Sequence, residues 1–482
     1  MRFPVDNDTL DLATPFSLRE KCGLCGVTGG EDVLELTHLG LHALQHRGQE
    51  AAGMMMGFDD DCWLHADKGL VDEVFSNIPK EWRKKRIERA ISHVRYSTAG
   101  LPGGKIAQPL MVDLAGQRVG IAHNGTISNA RSLRKNLQKE GAIFQTTGDT
   151  ELILHLMSQC LIKRHKGSIW DALEEALQQL EGAFCLLLMT KDNMVAVRDP
   201  YGFRPLNIAD FCDGSYMVAS ETISFNVTGA HYLREVEPGE MIIWNRNNGM
   251  ESRRFAASKR RAQCIFEHVY FARPGSSVFG DSVRDVRKAM GRKMAEEAPV
   301  DADVVMPVPD SGMFAALGYS EASGLPFDMG FTRNHYVGRT FIDPGLVSRR
   351  KMVTRKLQPI AEAVRGKRIC LIEDSIVRGS TSRARISTLR EVGAKEVHMR
   401  VSCPPHRFGC YFGIDFPERE KLIANQMNLN ELTASLRLDS LAYLSQEGML
   451  SCVSAYNPED YCCACFDGQY PVTPECLDKP PL

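Results

Sequence analysis

The chain has 482 residues, of which 43% are hydrophobic and 24% charged. At roughly 100–200 residues per domain, this length suggests two to four domains, and the apolar fraction excludes a generally disordered chain. Lys and Arg number 58 against 60 Asp and Glu, a formal net charge of -2, which argues against binding nucleic acid through bulk charge.

Residues 1–21 are polar and unpatterned, without the apolar core of a secretory signal, so the cytosol is the expected compartment. From about 22 to 250 the texture is of short strands and turn residues, with strands expected at 119–122, 184–189 and 194–197. The longest purely apolar run, 183–189, falls far short of the roughly 20 residues that span a bilayer, so no membrane partner is expected. Residues 151–161 set Leu152, Leu154, Leu156, Met157 and Leu161 largely along one side, and 169–180 is similar; both predict helices. Residues 244–262 are polar and basic and read as the end of the first domain and a linker. From about 263 to 420 strands alternate with helices (303–308, helix 312–323, 368–372, helix 380–392, 396–402), which predicts a parallel α/β sheet. A helical segment and a cysteine-bearing tail follow.

Fifteen cysteines in a reducing compartment point to metal binding or catalysis rather than disulfides. Cys160, Cys185 and Cys370 sit in apolar stretches and read as core residues. Cys22, Cys25, Cys462, Cys463 and Cys465 need another account.

The first half carries Cys22-Gly23-Leu24-Cys25-Gly26, His46-Arg47-Gly48-Gln49-Glu50, His93-Val94-Arg95-Tyr96-Ser97-Thr98, His123-Asn124-Gly125-Thr126 and Gly148-Asp149-Thr150-Glu151. Taken singly, the first is compatible with a turn around a buried thiol and the fourth with a hairpin turn. A thiol attacks an amide carbonyl when a base is near, and an N-terminal cysteine carries its own base, an α-amine with a pKa of about 7.7–8.0. That chemistry requires removal of residues 1–21. As an ordered set the motifs resemble the class II glutamine amidotransferases. The resemblance implies an α+β N-terminal-nucleophile glutaminase, an αββα sandwich, with Cys22 as nucleophile. Arg95 then pairs with the glutamine α-carboxylate and Asp149 with its α-ammonium, while the Asn124 side chain and the Gly125 N–H form the oxyanion hole. Cys25 is the competing nucleophile. The spacing from Cys22-Gly23-x-x-Gly26 to the His46–Glu50 motif matches the family without a gap and favours Cys22.

Residues 368–381 read Arg-Ile-Cys-Leu-Ile-Glu-Asp-Ser-Ile-Val-Arg-Gly-Ser-Thr. A strand ends in two acids, a loop passes through Gly379, and hydroxyls open a helix. Helix-terminal amides attract phosphate, Gly379 permits positive φ, and Ser380 and Thr381 suit capping. Glu373 and Asp374 suit ribose hydroxyls or Mg²⁺. The order resembles the α/β type I phosphoribosyltransferases. The resemblance implies phosphoribosyl pyrophosphate as substrate, bound by Glu373, Asp374, Ser375, Arg378, Gly379, Ser380 and Thr381. It also implies one Mg²⁺ per subunit near Ser311, Glu373 and Asp374, and a lid over 336–341 in which Arg339 meets pyrophosphate.

A glutaminase followed by a phosphoribosyltransferase resembles the amidophosphoribosyltransferase family, which performs the first committed step of purine biosynthesis. The resemblance implies a propeptide at 1–21, a glutaminase domain at 22–255, a transferase domain at 256–430 and a tail at 431–482. The implied reaction converts glutamine, phosphoribosyl pyrophosphate and water into 5-phosphoribosylamine, pyrophosphate and glutamate, with ammonia passed internally. A homotetramer and purine nucleotide inhibitors are the corresponding expectations. Cys462-x-x-Cys465 resembles the cluster-bearing form, with Cys264 and Cys410 as the other ligands of one [4Fe–4S] cluster per subunit that joins the transferase segment to the tail. Zinc is the alternative metal. Glu373 stands where the cluster-bearing pattern has Asp, and His335 and Thr354 where basic residues are usual. A regulatory paralogue that binds phosphoribosyl pyrophosphate or nucleotides is the alternative function.

Overall fold

The computed structural model describes residues 22–58, 61–95, 107–164, 167–246, 249–334, 357–414, 416 and 419–475. Residues 1–21, the expected propeptide, and Arg339, His335 and Thr354 lie outside them. The described residues fall into two compact units. One comprises 22–286 with 408–416 and 453–475; the other comprises 287–407 with 419–452. The motif order along the chain places boundaries near 255 and 430, and the compact units cut across both.

The first unit is built on two antiparallel sheets. Seven strands run in the order His231–Glu235, Asn207–Asp210, Tyr216–Ala219, Gly23–Thr28, Arg89–Arg95, Ala51–Phe58, Asp61–Lys68. Six run in the order Gly249–Arg254, Glu240–Asn245, Asn193–Arg198, Gly182–Met189, Gln117–Ile127, Leu110–Leu114. Strand periodicity distributes the side chains. Leu24 and Met55 join the core between the sheets, while Cys25, Val27, Met54 and Met56 face the layer of Val33–Ala43, Val71–Ser76 and Ile223–Thr228. In the other sheet Cys185, Leu187 and Met189 point into the shared core; Leu186 and Leu188 pack beneath Asp149–Arg164 and Ile169–Leu177. The result is the αββα sandwich. The run 183–189 is continuous rather than alternating because both of its faces are buried.

One expectation and one alternative reading need correction. Residues 244–262 are not simply a linker: Glu240–Asn245 and Gly249–Arg254 pair as an antiparallel hairpin. Gly249–Arg254 is a sheet-edge strand and almost wholly exposed, so its polar, charged residues suit an edge yet mimic a linker in sequence. His123-Asn124-Gly125 is not a hairpin turn either, because it lies inside the strand Gln117–Ile127.

The second unit holds a parallel sheet in the order Val304–Pro307, Arg368–Glu373, Glu396–Val401, Ser440–Tyr443, with the helices Met313–Ser323 and Ser380–Glu391 between strands. This is the predicted α/β alternation. Among the described residues no helix is long and apolar enough to cross a membrane.

Candidate active sites

In the first unit, Gly23 pairs with Val94 across antiparallel strands, so Cys22 stands level with Arg95, the last residue of its neighbour strand. Cys22 is partly exposed and has φ of 58°, at the point where the chain enters the sheet. The glycines around it answer to crowding. A Cβ on Gly23 would lie 3.0 Å from Val94 and 3.1 Å from Leu44; one on Gly48 would lie 2.6 Å from the Arg95 backbone. Cys25 has different surroundings. It is fully buried, its Sγ lies 3.8 Å from the Thr37 carbonyl, and burial pushes its thiol up to about 12. Those are the surroundings of a packing thiol.

The strand with Asn124 and Gly125 belongs to the other sheet. The two sheets meet where His93 Nε2 lies 3.2 Å from the His123 carbonyl oxygen. Burial and the nearby Arg95 charge push His93 down to about 3, so it bonds as a neutral imidazole. Gln108 Oε1 accepts from the His123 N–H at 2.7 Å. The Asn124 amide is fully buried, and among the described residues neither its oxygen nor its nitrogen has a hydrogen-bond partner. A buried amide in that state is costly unless a ligand completes it. Gly125 has φ of 144°, and a Cβ there would run into the Ala183 carbonyl, so the position requires glycine. Asp149 opens its helix with Oδ2 accepting from the Ile127 N–H at 3.1 Å and Oδ1 3.4 Å from His123 Nδ1. The structure thus links Asn124, Gly125 and Asp149 through one strand, and Cys22 with Arg95 through another.

Sequence reasoning missed a buried row of charge in this unit. Glu221 binds Arg47 and lies 2.7 Å from His46 Nε2; Arg47 Nη2 donates to Glu267 at 2.5 Å; Arg204 Nη1 donates to Glu267 at 2.9 Å. His46-Arg47 was visible as a motif, but its acidic partners are more than 170 residues away.

In the second unit, Glu373 ends its strand and is buried, with Arg385 Nη1 donating to it at 2.5 Å. Asp374 accepts from Ser375 Oγ at 2.5 Å and from Ser311 Oγ, which places Ser311 beside the acid pair. Burial, reinforced by Asp374 and only partly offset by Arg385, pushes Glu373 up to about 8. Two adjacent buried carboxylates with one guanidinium, bound to Glu373, favour taking up a proton or a cation. Gly379 has φ of 73° and itself occupies the capping position of Ser380–Glu391, so neither Ser380 nor Thr381 is the cap. The left-handed turn after Arg378 decides this, because glycine adopts it without strain. The first-turn amides behind Gly379 have no partner within the helix, an arrangement that favours an anion. Arg385 was not anticipated; its only sequence signal is a basic residue one turn into this helix.

Cys264, Cys410, Cys462 and Cys465 line one cavity, and all four lie in the glutaminase-bearing unit rather than joining the transferase unit to the tail. Gln263–Cys264 pairs in parallel with Tyr461–Cys462, setting Cys264 opposite Cys462. Phe203 stacks on Phe412 at 4.3 Å, and the Phe412 N–H donates to Cys410 Sγ at 3.4 Å. Burial pushes the Cys264 thiol up to about 12 and those of Cys462 and Cys465 well up, with the neighbouring cysteines reinforcing the effect. Thiols so placed become thiolates only when a cation is delivered to them. Among the described residues no three His, Cys, Asp or Glu side chains are already gathered as ligands of one metal ion.

Residues 93–226 match a glutamine amidotransferase domain family. The chain is 44% identical over 466 residues to the amidophosphoribosyltransferase of Bacillus subtilis (strain 168), covering 96% of each. It is 42% identical over 456 residues to the amidophosphoribosyltransferase of Archaeoglobus fulgidus, covering 93% of this chain and 98% of that one. Among solved structures, the B. subtilis glutamine phosphoribosylpyrophosphate amidotransferase complexed with ADP and GMP matches with a TM-score of 0.86 at 43% identity, over 93% of this chain and 97% of that chain. A structure described as the allosteric regulatory enzyme of purine biosynthesis matches with a TM-score of 0.87 at 43% identity, over 94% and 97%.

Proposed function

The chain belongs to the amidophosphoribosyltransferase family, and from that premise we propose how its residues divide the work. It is a glutamine-dependent phosphoribosyltransferase of purine biosynthesis. In our reading Cys22, freed by removal of residues 1–21, attacks the glutamine amide carbonyl with its own α-amine as base. The thioester forms as ammonia leaves, and water releases glutamate. Arg95 and Asp149 hold the two ends of the amino acid. Asn124 and the Gly125 N–H receive the oxyanion. The observation that carries this half is the buried Asn124 amide, without a hydrogen-bond partner among the described residues, next to a glycine held at φ of 144°.

Ammonia then passes internally to the ribose C1. Glu373 and Asp374 take the ribose hydroxyls, stabilising positive charge on the ring as pyrophosphate leaves. Ser375, Arg378, Gly379, Ser380 and Thr381 hold the 5′-phosphate, and Arg339 meets pyrophosphate. Ser311, Glu373 and Asp374 would hold Mg²⁺, which supplies charge neutralisation to the pyrophosphate; the acid pair suits a cation because burial and mutual repulsion disfavour two bare carboxylates. Cys264, Cys410, Cys462 and Cys465 would hold a [4Fe–4S] cluster, a cross-link among three chain segments; the fit rests on four thiols around one enclosed, largely apolar cavity. By the same reading the enzyme is a cytosolic homotetramer inhibited by purine nucleotides.

Steady-state formation of 5-phosphoribosylamine from glutamine, with intact mass and anaerobic metal analysis of the same sample, tests this reading. Turnover with a chain beginning at Cys22 and close to four irons per chain is expected. Phosphoribosyl pyrophosphate binding without turnover would instead support a regulatory protein. Activity with residue 1 or 2 retained would remove the α-amine mechanism.

A further inference from the structure

Arg204 is one of the residues lining the four-cysteine cavity and the only charged one among them. It is 3% exposed, and among the described residues its Nε–H has no hydrogen-bond partner. Its Nη1 is held by Glu267 at 2.9 Å, and its guanidinium carbon lies 5.6 Å from the Phe271 ring centre. The backbone packs against it as well: a Cβ on Gly413 would lie 2.8 Å from Nη2 and 3.1 Å from Nε. Glu267 is in turn held by Arg47, and Arg47 by Glu221, so two guanidinium groups balance two carboxylates along this row. The guanidinium is therefore fixed in place, yet one of its donors is unused at the wall of an otherwise apolar cavity.

A four-thiolate metal site is a net anion, and burying an anion against apolar walls needs a counter-charge and hydrogen-bond donors. We propose that Arg204 is the positioning residue of the bound cofactor, its guanidinium supplying counter-charge and its Nε–H a hydrogen bond to the sulfur ligands, while Glu267 fixes its orientation. The inference rests on the reading of the four cysteines as a cofactor site. It assigns Arg204 no part in glutamine or phosphoribosyl chemistry. Positive charge and hydrogen bonds to sulfur stabilise the more reduced, more negative state, so they raise a cluster's reduction potential.

The test uses the full chain purified anaerobically, with Arg204→Met, Arg204→Lys and Glu267→Gln beside the parent. The readouts are iron and sulfide content, reduction potential, and the rate of iron release to a chelator. Arg204→Met should lower the potential and release iron about tenfold faster or more, the usual scale for losing a group that supports metal ligands. Arg204→Lys, which keeps the charge without the fork, should fall between. Glu267→Gln should raise the potential, since it leaves the Arg204 charge less neutralised, and it decides the matter if Arg204→Met does not fold. A parent-like potential and release rate in folded Arg204→Met, or an unchanged potential in Glu267→Gln, would overturn the proposal. If the parent holds zinc, the cluster reading fails, and zinc release from Arg204→Met must still be faster for the Arg204 role to stand. A parent that binds neither metal overturns both.

Discussion

Glu221 and Glu267 in one unit and Glu373 and Asp374 in the other are both buried carboxylate pairs, with opposite electrostatic surroundings. Burial pushes Glu221 and Glu267 up, but the charges of Arg47 and Arg204, with His46 beside Glu221, overcome it and hold both acids below the usual carboxylate range. Burial also pushes Glu373 up, but there the nearby Asp374 adds to the effect and Arg385 offsets only part of it. The first pair is complete within the protein and braces the αββα core near the Cys22 strand. The second pair is incomplete and suits a cation brought by the substrate. Burial of charge alone therefore does not mark a ligand site; the balance of counter-charge does.

The largest effects should come from separating the two chemistries. Cys22→Ala is expected to abolish synthesis from glutamine while leaving synthesis from concentrated ammonia. Asp374→Asn should abolish synthesis from either nitrogen source, because it strips a carboxylate from the proposed ribose and metal site. Paired assays with glutamine and ammonium chloride check both. Loss of both activities in folded Cys22→Ala would break the division between the units.

Next in size is the cost of opening the balanced pair. Glu267→Gln leaves Arg47 and Arg204 without their shared acid and should destabilise its unit by about 3–5 kcal/mol, read as an earlier denaturant midpoint. A cost below about 1 kcal/mol would place Glu267 with ordinary surface ion pairs.

The unbalanced pair should show itself through pH. In the folded chain Glu373 keeps its proton to about pH 8, against an ordinary value of 4.5. Its protonated form therefore contributes stability that is complete below pH 4.5 and lost as pH rises through about 8. In magnesium-free buffer the transferase unit should weaken between pH 5 and about 8.5, and Glu373→Gln should flatten that slope. An equal slope in the variant would mean that another group carries it. Glu221 and Glu267 run the other way: their contribution is present above 4.5 and is lost only as pH falls through their lowered values.

The smallest effect concerns the second thiol of the glutaminase unit. Cys25→Ala should cost about 1 kcal/mol in packing and leave glutamine-dependent turnover intact. Loss of turnover with stability retained would return the nucleophile role to Cys25.

What the residues determined by themselves is local or periodic. Leu24 against Cys25, and Met55 against Met54 and Met56, assign strand faces because side chains alternate. The strand ending in Glu373-Asp374, the left-handed Gly379 and the helix from Ser380 follow from neighbouring residues, so this strand–turn–helix was legible. The edge strand at 249–254 was hidden because an exposed edge strand and a linker share polar composition. The rest was settled only when distant segments met. Parallel pairing brought Cys264 opposite Cys462, and packing placed Cys410 and Cys465 around the same cavity inside the glutaminase-bearing unit. Glu267 found Arg47 across 220 residues and Arg204 across 63. Buried charges need partners within hydrogen-bond reach, and sheet stacking rather than chain order determines which partners come that close.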